Sequence, residues 1–189
     1  PVAIIGAGPV GLAAAAHLSV RKQQFILFEA GHTVATNILT WKHVRIFSPW
    51  RYNIDKAARE ILSATGWVAP ADDAIPTGEE LFMNYLQPLA ETSPLQPNIH
   101  LDSRVISIGR RNLDKMHTHG RENLPFTIQV LQRGTLSVFQ VKAVIDTSGT
   151  WTNANPLGSG GIYANGEIEH SKKIFYGIPD ILGDHVNRY

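Results

Sequence analysis

The spacing of apolar residues changes within the first thirty residues of the chain. Val2-Ala3-Ile4-Ile5 is a continuous apolar run, which is typical of a buried strand. After a glycine-rich stretch, Leu12 to Leu18 is rich in alanine and leucine, which favours a helix. A second apolar run, Phe25 to Phe28, ends at the acidic Glu29. The pattern predicts a strand, a helix and a second strand.

Two further helices are predicted between residues 54 and 92. The first covers Asp55 to Thr65 and ends at Gly66. Thr77 and Glu80 form a capping-box pattern at the start of the second, which has an apolar stripe at helical spacing. Between these helices lies a loop rich in proline and acidic residues.

Short apolar runs predict the remaining strands. In chain order they are Ile99 to Leu101, Arg104 to Ile108, Phe126 to Gln132, Leu136 to Val141, Ala143 to Asp146 and Lys173 to Tyr176. Arg133-Gly134-Thr135 joins two of them and predicts a hairpin. Arg110 to Asn123 is polar and is expected to form a mobile loop.

Gly6-Ala7-Gly8-Pro9-Val10-Gly11 stands between the first strand and the first helix. Gly6 permits a tight turn, Gly8 lets the backbone approach a pyrophosphate, and Gly11 lets the helix pack closely on the sheet. Pro9 suits the first position of a helix. The N–H groups at the helix start then attract phosphate.

Glu29 completes the fingerprint of a dinucleotide site. Its carboxylate would accept hydrogen bonds from ribose hydroxyls and would repel a 2′-phosphate, which argues against NADP at this site. A glycine-rich loop that only caps a helix is the weaker alternative. A signal peptide or membrane span is disfavoured because the apolar start is short and contains Gly-Ala-Gly-Pro.

The composition of the chain limits its possible partners and the kinds of catalytic and metal sites it can contain. The 189 residues carry a net charge of +1, which argues against nucleic acid or an anionic membrane as the main partner. The sequence has no cysteine, which excludes cysteine-based catalysis and cysteine-ligated metal within it. His117 and His119 have no third ligand at useful spacing, so no metal site is expected. A cytoplasmic location is expected from the lack of an export signal.

Together these motifs resemble the FAD-binding part of the flavin-containing monooxygenase-like flavoproteins, which have two dinucleotide-binding domains. The resemblance spans nearly the whole chain and is carried by the glycine turn, Glu29, the stretch Trp41 to Trp50, and Ala143 to Gly149. It implies an α/β fold: a Rossmann-like FAD-binding domain with a mainly parallel sheet and a small antiparallel β-meander.

The resemblance also implies contacts for each part of FAD. The cofactor-binding residues would be Gly6, Gly8, Pro9, Val10 and Gly11 at the pyrophosphate, Glu29, Ala30 and Gly31 at the adenosine ribose, Val105 at the adenine, Trp41, Arg45, Ser48 and Pro49 towards the flavin, and Thr147, Ser148 and Gly149 along the cofactor. Catalytic residues stay unknown. Trp41 could instead be a core or lid aromatic, Arg45 could be solvated, and Thr147 to Gly149 could be only a turn.

The implied activity is that of an NAD(P)H-dependent oxidoreductase, most specifically a monooxygenase. In that family oxygen forms a flavin C4a-hydroperoxide, which oxygenates a small nucleophile such as an amine or sulfide. Two alternatives stay open. One is a non-catalytic nucleotide-binding module completed by another chain, and the other is an NAD-binding dehydrogenase domain.

The expected organisation is a domain over residues 1–150 and an irregular connecting segment over 151–189. Within the domain, a helical excursion covers about 54–92 and a β-meander about 124–142. The segment would lead to an NAD(P)H domain that is missing, which suggests a fragment of a longer enzyme. Such a fragment is expected to be inactive alone and to self-associate through its incomplete sheet.

Overall fold

A computed structural model of the chain describes residues 1–188, and Tyr189 lies outside the described residues. A four-stranded parallel sheet and a three-stranded antiparallel sheet organise it, in the orders β3-β2-β1-β7 and β4-β5-β6. The strands are β1 (Val2–Ile5), β2 (Phe25–Phe28), β3 (Ile99–His100), β4 (Ser103–Arg110), β5 (Phe126–Gln132), β6 (Thr135–Val141) and β7 (Ala143–Asp146).

Helices occupy most of the interval between β1 and β3. They are α1 (Pro9–Val20), α2 (Thr36–Leu39), α3 (Trp50–Asn53), α4 (Lys56–Ser63), α5 (Gly78–Leu81), a π-helical turn (Phe82–Leu86) and α6 (Gln87–Ala90). Short 3₁₀ turns follow at Gln96–Asn98, Arg121–Asn123, Ser159–Gly161 and Ser171–Lys173. Helical segments are therefore present where the apolar stripes predicted them.

The parallel sheet is buried on both faces because alternate residues of each strand point to opposite sides. In β1, Val2 and Ile4 pack against the helices in the larger apolar core, whereas Ala3 packs against the antiparallel sheet. Strands buried on both faces need continuous apolar runs, and β1 and β2 have them. The α/β fold class predicted from the sequence is confirmed.

The hairpin between β5 and β6 is set by its two-residue turn. Arg133 and Gly134 have φ of 47° and 84°, so both adopt the left-handed conformation that a type I′ turn requires. The turn pairs Gln132 with Thr135 and places Ile128 and Val130 inward against the parallel sheet. The predicted hairpin is confirmed.

The helix from Gly78 to Ala90 starts at the predicted capping box. The hydroxyl of Thr77 accepts from the Glu80 N–H, and the Glu80 carboxylate accepts from the Thr77 N–H. Pro88 lacks an N–H and cannot donate to the Asn84 carbonyl four residues earlier. The indole of Trp67 donates to that carbonyl instead, at 2.8 Å. The side chain of Trp67 therefore satisfies a carbonyl that proline leaves unpaired.

The predicted strand at Lys173 to Tyr176 is wrong. Lys173 ends a 3₁₀ turn and the next residues pair with no strand of the described chain. A short apolar run forms a strand only beside another strand, and both named sheets are built from residues before 147. Among residues 1–188, no helix has the length and apolar character needed to cross a bilayer.

Candidate functional site

The ends of β1 and β7 are joined directly at the glycine turn. Gly6 has φ of +92°, and a Cβ on it would lie 2.9 Å from the Thr147 carbonyl oxygen. The Thr147 hydroxyl donates to the carbonyl oxygens of Ile5 and Gly6, at 2.7 and 2.9 Å. Thr147 therefore fixes the shape of the turn, and its hydroxyl proton is already engaged by the backbone.

Gly11 and Gly8 are glycine for different reasons. A Cβ on Gly11 would lie 1.9 Å from the Gly6 carbonyl oxygen, so only glycine lets α1 approach the turn this closely. A Cβ on Gly8 would meet no atom of the described chain within 4 Å, and its φ of −75° suits any residue. The space beside Gly8 is therefore open, as a cofactor pyrophosphate would need.

The start of α1 faces this open space. Gly8 is the N-cap and has no side chain to satisfy the first N–H groups, and Pro9 occupies the first turn. Pro9 and Val10 are exposed, while Gly11 and Leu12 are buried. The helix start thus presents unpaired N–H groups and a partial positive charge to solvent, which is the chemistry of an anion site.

Glu29 lies beside the same turn and its carboxylate is already oriented. One oxygen accepts from the buried Ala7 N–H at 2.7 Å, and the other from the Gly31 N–H at 2.9 Å. Each carboxylate oxygen has a further lone pair, so the group can still accept from two hydroxyls. A Cβ on Gly31 would lie 2.0 Å from the Thr36 hydroxyl oxygen, so this loop is also closely packed.

A second, more exposed turn follows β7. The Ser148 hydroxyl and N–H both donate to the Asp146 carboxylate, at 2.7 and 3.0 Å, and they hold the pKa of that carboxyl below its usual value. Gly149 has φ of +66° and is exposed. Ser148 and Gly149 therefore lie on the rim of the site, with their polar contacts directed to Asp146.

Val105 lies in β4 opposite Val130 of β5, and its side chain packs against the core between the two sheets. The strand begins at Ser103, whose N–H donates to the Glu29 carbonyl oxygen at 2.8 Å. Val105 is thus two residues from a direct contact with the Glu29 loop.

The residues expected towards the flavin have local structural partners. Trp41 packs against the helical core and over Gly78, where a Cβ would lie 2.9 Å from its ring. Arg45 donates to the Ile75 carbonyl oxygen, and the Ser48 hydroxyl donates to the Asn53 side chain at 2.9 Å. Pro49 precedes α3 as its N-cap.

These four residues therefore shape the 41–78 segment rather than join the glycine turn directly. One contact does connect the segment to the rim, because the rings of Trp41 and Trp151 lie 6.3 Å apart. Trp50, the other tryptophan of this stretch, is buried in the core.

Sequence reasoning missed two groups that organise the site. The first is the Ala7 N–H, which no side-chain pattern reveals. The second is Asp102, which follows β3 and donates its N–H to the Gly31 carbonyl oxygen at 2.9 Å. Its φ of +52° is unusual for a residue other than glycine. The Asp-Ser pair at a strand end was a turn signal that could have indicated it.

A sequence family described as an NAD(P)-binding Rossmann-like domain matches residues 4–67. That range contains the glycine turn, α1, β2 and Glu29. The match agrees with the Rossmann-like arrangement of strand, helix and strand in this part of the chain. No curated protein sequence matches the chain.

Solved structures with this fold include flavoprotein enzymes. Bacillithiol disulfide reductase Bdr (YpdA) from Bacillus cereus has a TM-score of 0.61 and 19 % identity, over 84 % of this chain and 42 % of that chain. A steroid monooxygenase bound to NADP has a TM-score of 0.57 and 22 % identity, over 78 % and 25 %. The complex of OTEMO with FAD and NADP has a TM-score of 0.55 and 15 % identity, over 78 % and 25 %.

The identities of these three structures establish similarity of fold. The chain spans from about a quarter to about two fifths of their lengths, as the covered shares of 25 % and 42 % show.

Proposed function

We propose that the chain is the FAD-binding part of an NAD(P)H-dependent flavoprotein oxidoreductase. The observation that carries the proposal is the oriented Glu29 carboxylate beside an open helix start. The Ala7 N–H holds Glu29 at 2.7 Å, and the start of α1, which could bind an anion, follows Ala7 in the same turn. A pyrophosphate joined to a ribose with two hydroxyls matches that pair of sites.

The residues present fit such a ligand at its adenosine and pyrophosphate parts. Gly8 leaves room for phosphate oxygens, and the N–H groups of Val10 and Gly11 would donate to them. Glu29 would accept from the ribose, with Ala30 and Gly31 supporting its loop. When bound, a flavin accepts two electrons from a nicotinamide and passes them to a second substrate.

Monooxygenation of a small nucleophilic molecule is the finer function that we propose. Its support is the likeness in fold to monooxygenases, among them a steroid monooxygenase and a polycyclic ketone monooxygenase. The catalytic groups would come from outside the glycine turn, because the turn residues offer backbone N–H groups rather than side chains that transfer protons. Trp41 to Pro49 would shape the flavin end, as the contact of Trp41 with Trp151 allows.

Disulfide reduction is the second candidate, favoured by the likeness in fold to two bacillithiol disulfide reductases. The chain has no cysteine, so any reactive thiol would have to belong to another part of a longer protein or to the substrate. A domain that binds NAD instead of FAD is the third candidate, since the matching family is described as NAD(P)-binding.

The bound ligand distinguishes a flavoprotein from an NAD-binding domain. Purified protein is denatured and the released molecule is identified by mass spectrometry, and the chain is titrated with FAD and with NAD. We expect FAD to bind, with quenching of its fluorescence, and NAD to bind much more weakly. Binding of NAD alone would replace the proposal with the NAD-domain alternative. Binding of neither would contradict the proposal and would favour a nucleotide-binding module that another chain has to complete.

A glycine variant makes this test specific to the site. Gly8→Ala is expected to leave the fold unchanged, because a Cβ there meets no atom of the described chain within 4 Å. The same methyl group would occupy the space of the pyrophosphate, so FAD affinity should fall at least about tenfold. Equal FAD affinity in wild type and Gly8→Ala would show that FAD binds elsewhere. Circular dichroism serves as the folding control.

The remaining features follow from the same proposal. The substrate would be a small molecule and the location cytoplasmic, with neither nucleic acid nor a membrane as partner. We also propose that the chain alone self-associates, because apolar side chains such as Leu157, Ile162 and Leu182 are exposed. Light scattering checks this, and the mass of a monomer at all concentrations would contradict it.

A further inference from the structure

Asp102 stands at the meeting point of three loops at the carboxyl end of the parallel sheet. Its N–H donates to the Gly31 carbonyl oxygen at 2.9 Å, in the loop after β2. Its carbonyl oxygen accepts from the Arg133 N–H at 3.4 Å, in the turn between β5 and β6. Asp102 itself lies in the turn between β3 and β4. The residue thus connects the Glu29 loop to the antiparallel sheet.

The carboxylate of Asp102 contacts two basic side chains, one from the loop after β2 and one from the turn between β5 and β6. One oxygen contacts the His32 ring Nδ1, and the other lies 3.6 Å from the Arg133 Nε. The Asp102 side chain is only 22 % exposed, whereas those of His32 and Arg133 are mostly exposed. A well-placed carboxylate therefore holds two side chains that would otherwise extend freely into solvent.

The backbone of this turn is constrained in a way that keeps the carboxylate in place. Asp102 and Arg133 both have positive φ, at 52° and 47°. Aspartate and asparagine tolerate that conformation better than most residues. The adjacent Ser103 is buried, and its hydroxyl accepts from the Gln132 side chain at 3.1 Å. The turn is therefore fixed from both sides.

A short path of hydrogen bonds leads from Asp102 to the Glu29 carboxylate. Gly31 accepts from the Asp102 N–H with its carbonyl oxygen and donates its own N–H to Glu29 at 2.9 Å. Two hydrogen bonds thus separate Asp102 from the group that the proposed function assigns to the ribose. The Asp102 carboxylate also compensates the charge of Arg133.

We infer that Asp102 is a positioning and specificity-determining residue, which orients the Glu29 loop and restricts the site to adenosine nucleotides with a free 2′-hydroxyl. This inference rests on the proposed function. With Asp102 present, Arg133 and His32 are held by a carboxylate and are not available to a 2′-phosphate. Without its charge, the two side chains can turn towards the ribose and accept one.

The test compares two ligands that differ only at the ribose 2′-position: ADP-ribose and its 2′-phosphate. Affinities are measured by calorimetry for wild type, Asp102→Asn, Arg133→Asn and the double variant, each freed of flavin. Asparagine at 102 keeps the N–H and tolerates the positive φ, so the charge is the main change. Asparagine at 133 suits the type I′ turn before Gly134.

Wild type is expected to prefer ADP-ribose, and Asp102→Asn to reduce that preference about two- to fivefold, as for a partly exposed ion pair. Arg133→Asn, which leaves Asp102 intact, is expected to keep or increase the preference. In the double variant the preference should return towards the wild-type value, because the released guanidinium is absent. Such non-additivity is what direct coupling of two residues produces.

The outcomes separate this inference from the proposed function. If Asp102→Asn changed the affinity for both ligands equally, Asp102 would have only a structural role. That result would overturn the inference, while the proposed function would stand. A double variant that keeps the lowered preference would also overturn it. Wild type that binds neither ligand would overturn the proposed function, and the inference with it.

Discussion

Residues 1–150 and residues 151–188 are held together in opposite ways. The first region has two apolar cores, one on each face of the parallel sheet. In the second region the one buried residue among those described is an acid, Glu167, with 3 % of its surface exposed. Large apolar side chains there face solvent instead, and Leu182 is 90 % exposed.

Glu167 organises its region through hydrogen bonds. Its carboxylate accepts from the N–H groups of Leu157 and Ala164, at 3.0 and 2.7 Å, and from the Tyr176 hydroxyl. Burial alone would raise the pKa of Glu167, but these donors outweigh it and lower the pKa. Three separate parts of the segment thus meet at one carboxylate, in place of an apolar core.

Because different interactions stabilise them, the two regions should lose their structure separately. Apolar burial is cooperative, so a defect in the first region should lower the stability of both layers of the sheet. A carboxylate that ties loops together should affect those loops alone. Substitutions in each region test that separation.

The largest effect is expected from Gly11→Ala in the first region. The new methyl group would lie 1.9 Å from the Gly6 carbonyl oxygen and 2.8 Å from the Thr147 hydroxyl, and neither can move without opening the turn. Overpacking of this kind should cost about 3 kcal/mol. Chemical denaturation followed by circular dichroism measures it.

Gly8→Ala is the matched control for that substitution, because the same methyl group there meets open space. Its stability should differ from wild type by less than about 0.5 kcal/mol. Equal stability of the two variants would show that close packing of α1 on the turn does not stabilise the first region.

A smaller effect is expected at the polar link between α1 and α4. Asp55 caps α4 by accepting from Ala57 and Ala58, and its other oxygen contacts the His17 ring at 3.0 Å. Asp55→Ala should cost about 1 kcal/mol through loss of the cap. Asp55→Asn keeps an acceptor for the cap and should cost less.

The pH dependence of stability should follow from the same residue. Burial of the Asp55 carboxyl opposes ionisation, but the hydrogen bonds from His17, Ala58 and Ala57 outweigh it and lower the pKa. The stabilisation is therefore fully present above the unfolded-state pKa of about 3.9 and is lost as the pH falls through the lower native value. Asp55→Asn should have a flatter stability profile at acid pH, and an unchanged slope would contradict this.

The two regions also differ in how far the sequence could predict them. The strands at Val2–Ile5 and Phe25–Phe28 were predictable because strands buried on both faces need unbroken apolar runs. The run at Ile174 to Tyr176 is similar in composition but has no strand beside it, so the same rule gave a wrong prediction. A single acid such as Glu167 produces no periodic pattern at all.

The residues of the candidate site also differ in how far the sequence could predict them. Its glycines and Glu29 form a spaced motif, and Gly6 and Gly11 each have a separate steric reason to be there. Asp102 became recognisable only through its positive φ and its contacts with loops distant in the sequence. The positions of Arg45 and Ser48 likewise depend on partners, Ile75 and Asn53, that the motif does not include.

In the second region, Glu167→Gln should loosen loops without unfolding the sheet. Glutamine has one oxygen acceptor, and its NH₂ group would face the donors that the carboxylate now satisfies. Hydrogen exchange should become faster at Leu157 and Ala164, with unchanged protection in β1 and β2. Lost protection in β1 would show that the two regions unfold together, which contradicts the comparison. Glu169→Gln, at an exposed position of the same segment, is the control.

The smallest effect is expected from Tyr176→Phe, which removes one of the three donors and leaves the carboxylate. The hydrogen bond to Glu167 raises the pKa of Tyr176 to about 12. Its contribution is fully present below the unfolded-state pKa of about 10 and is lost as the pH rises through about 12. Burial also raises the pKa of Tyr85, so an ultraviolet titration of wild type should show two late-ionising tyrosines. Tyr176→Phe should lose one of them, whereas Tyr52→Phe, at an exposed position, should retain both. Two late ionisations in Tyr176→Phe would mean that the carboxylate does not hold this part of the segment.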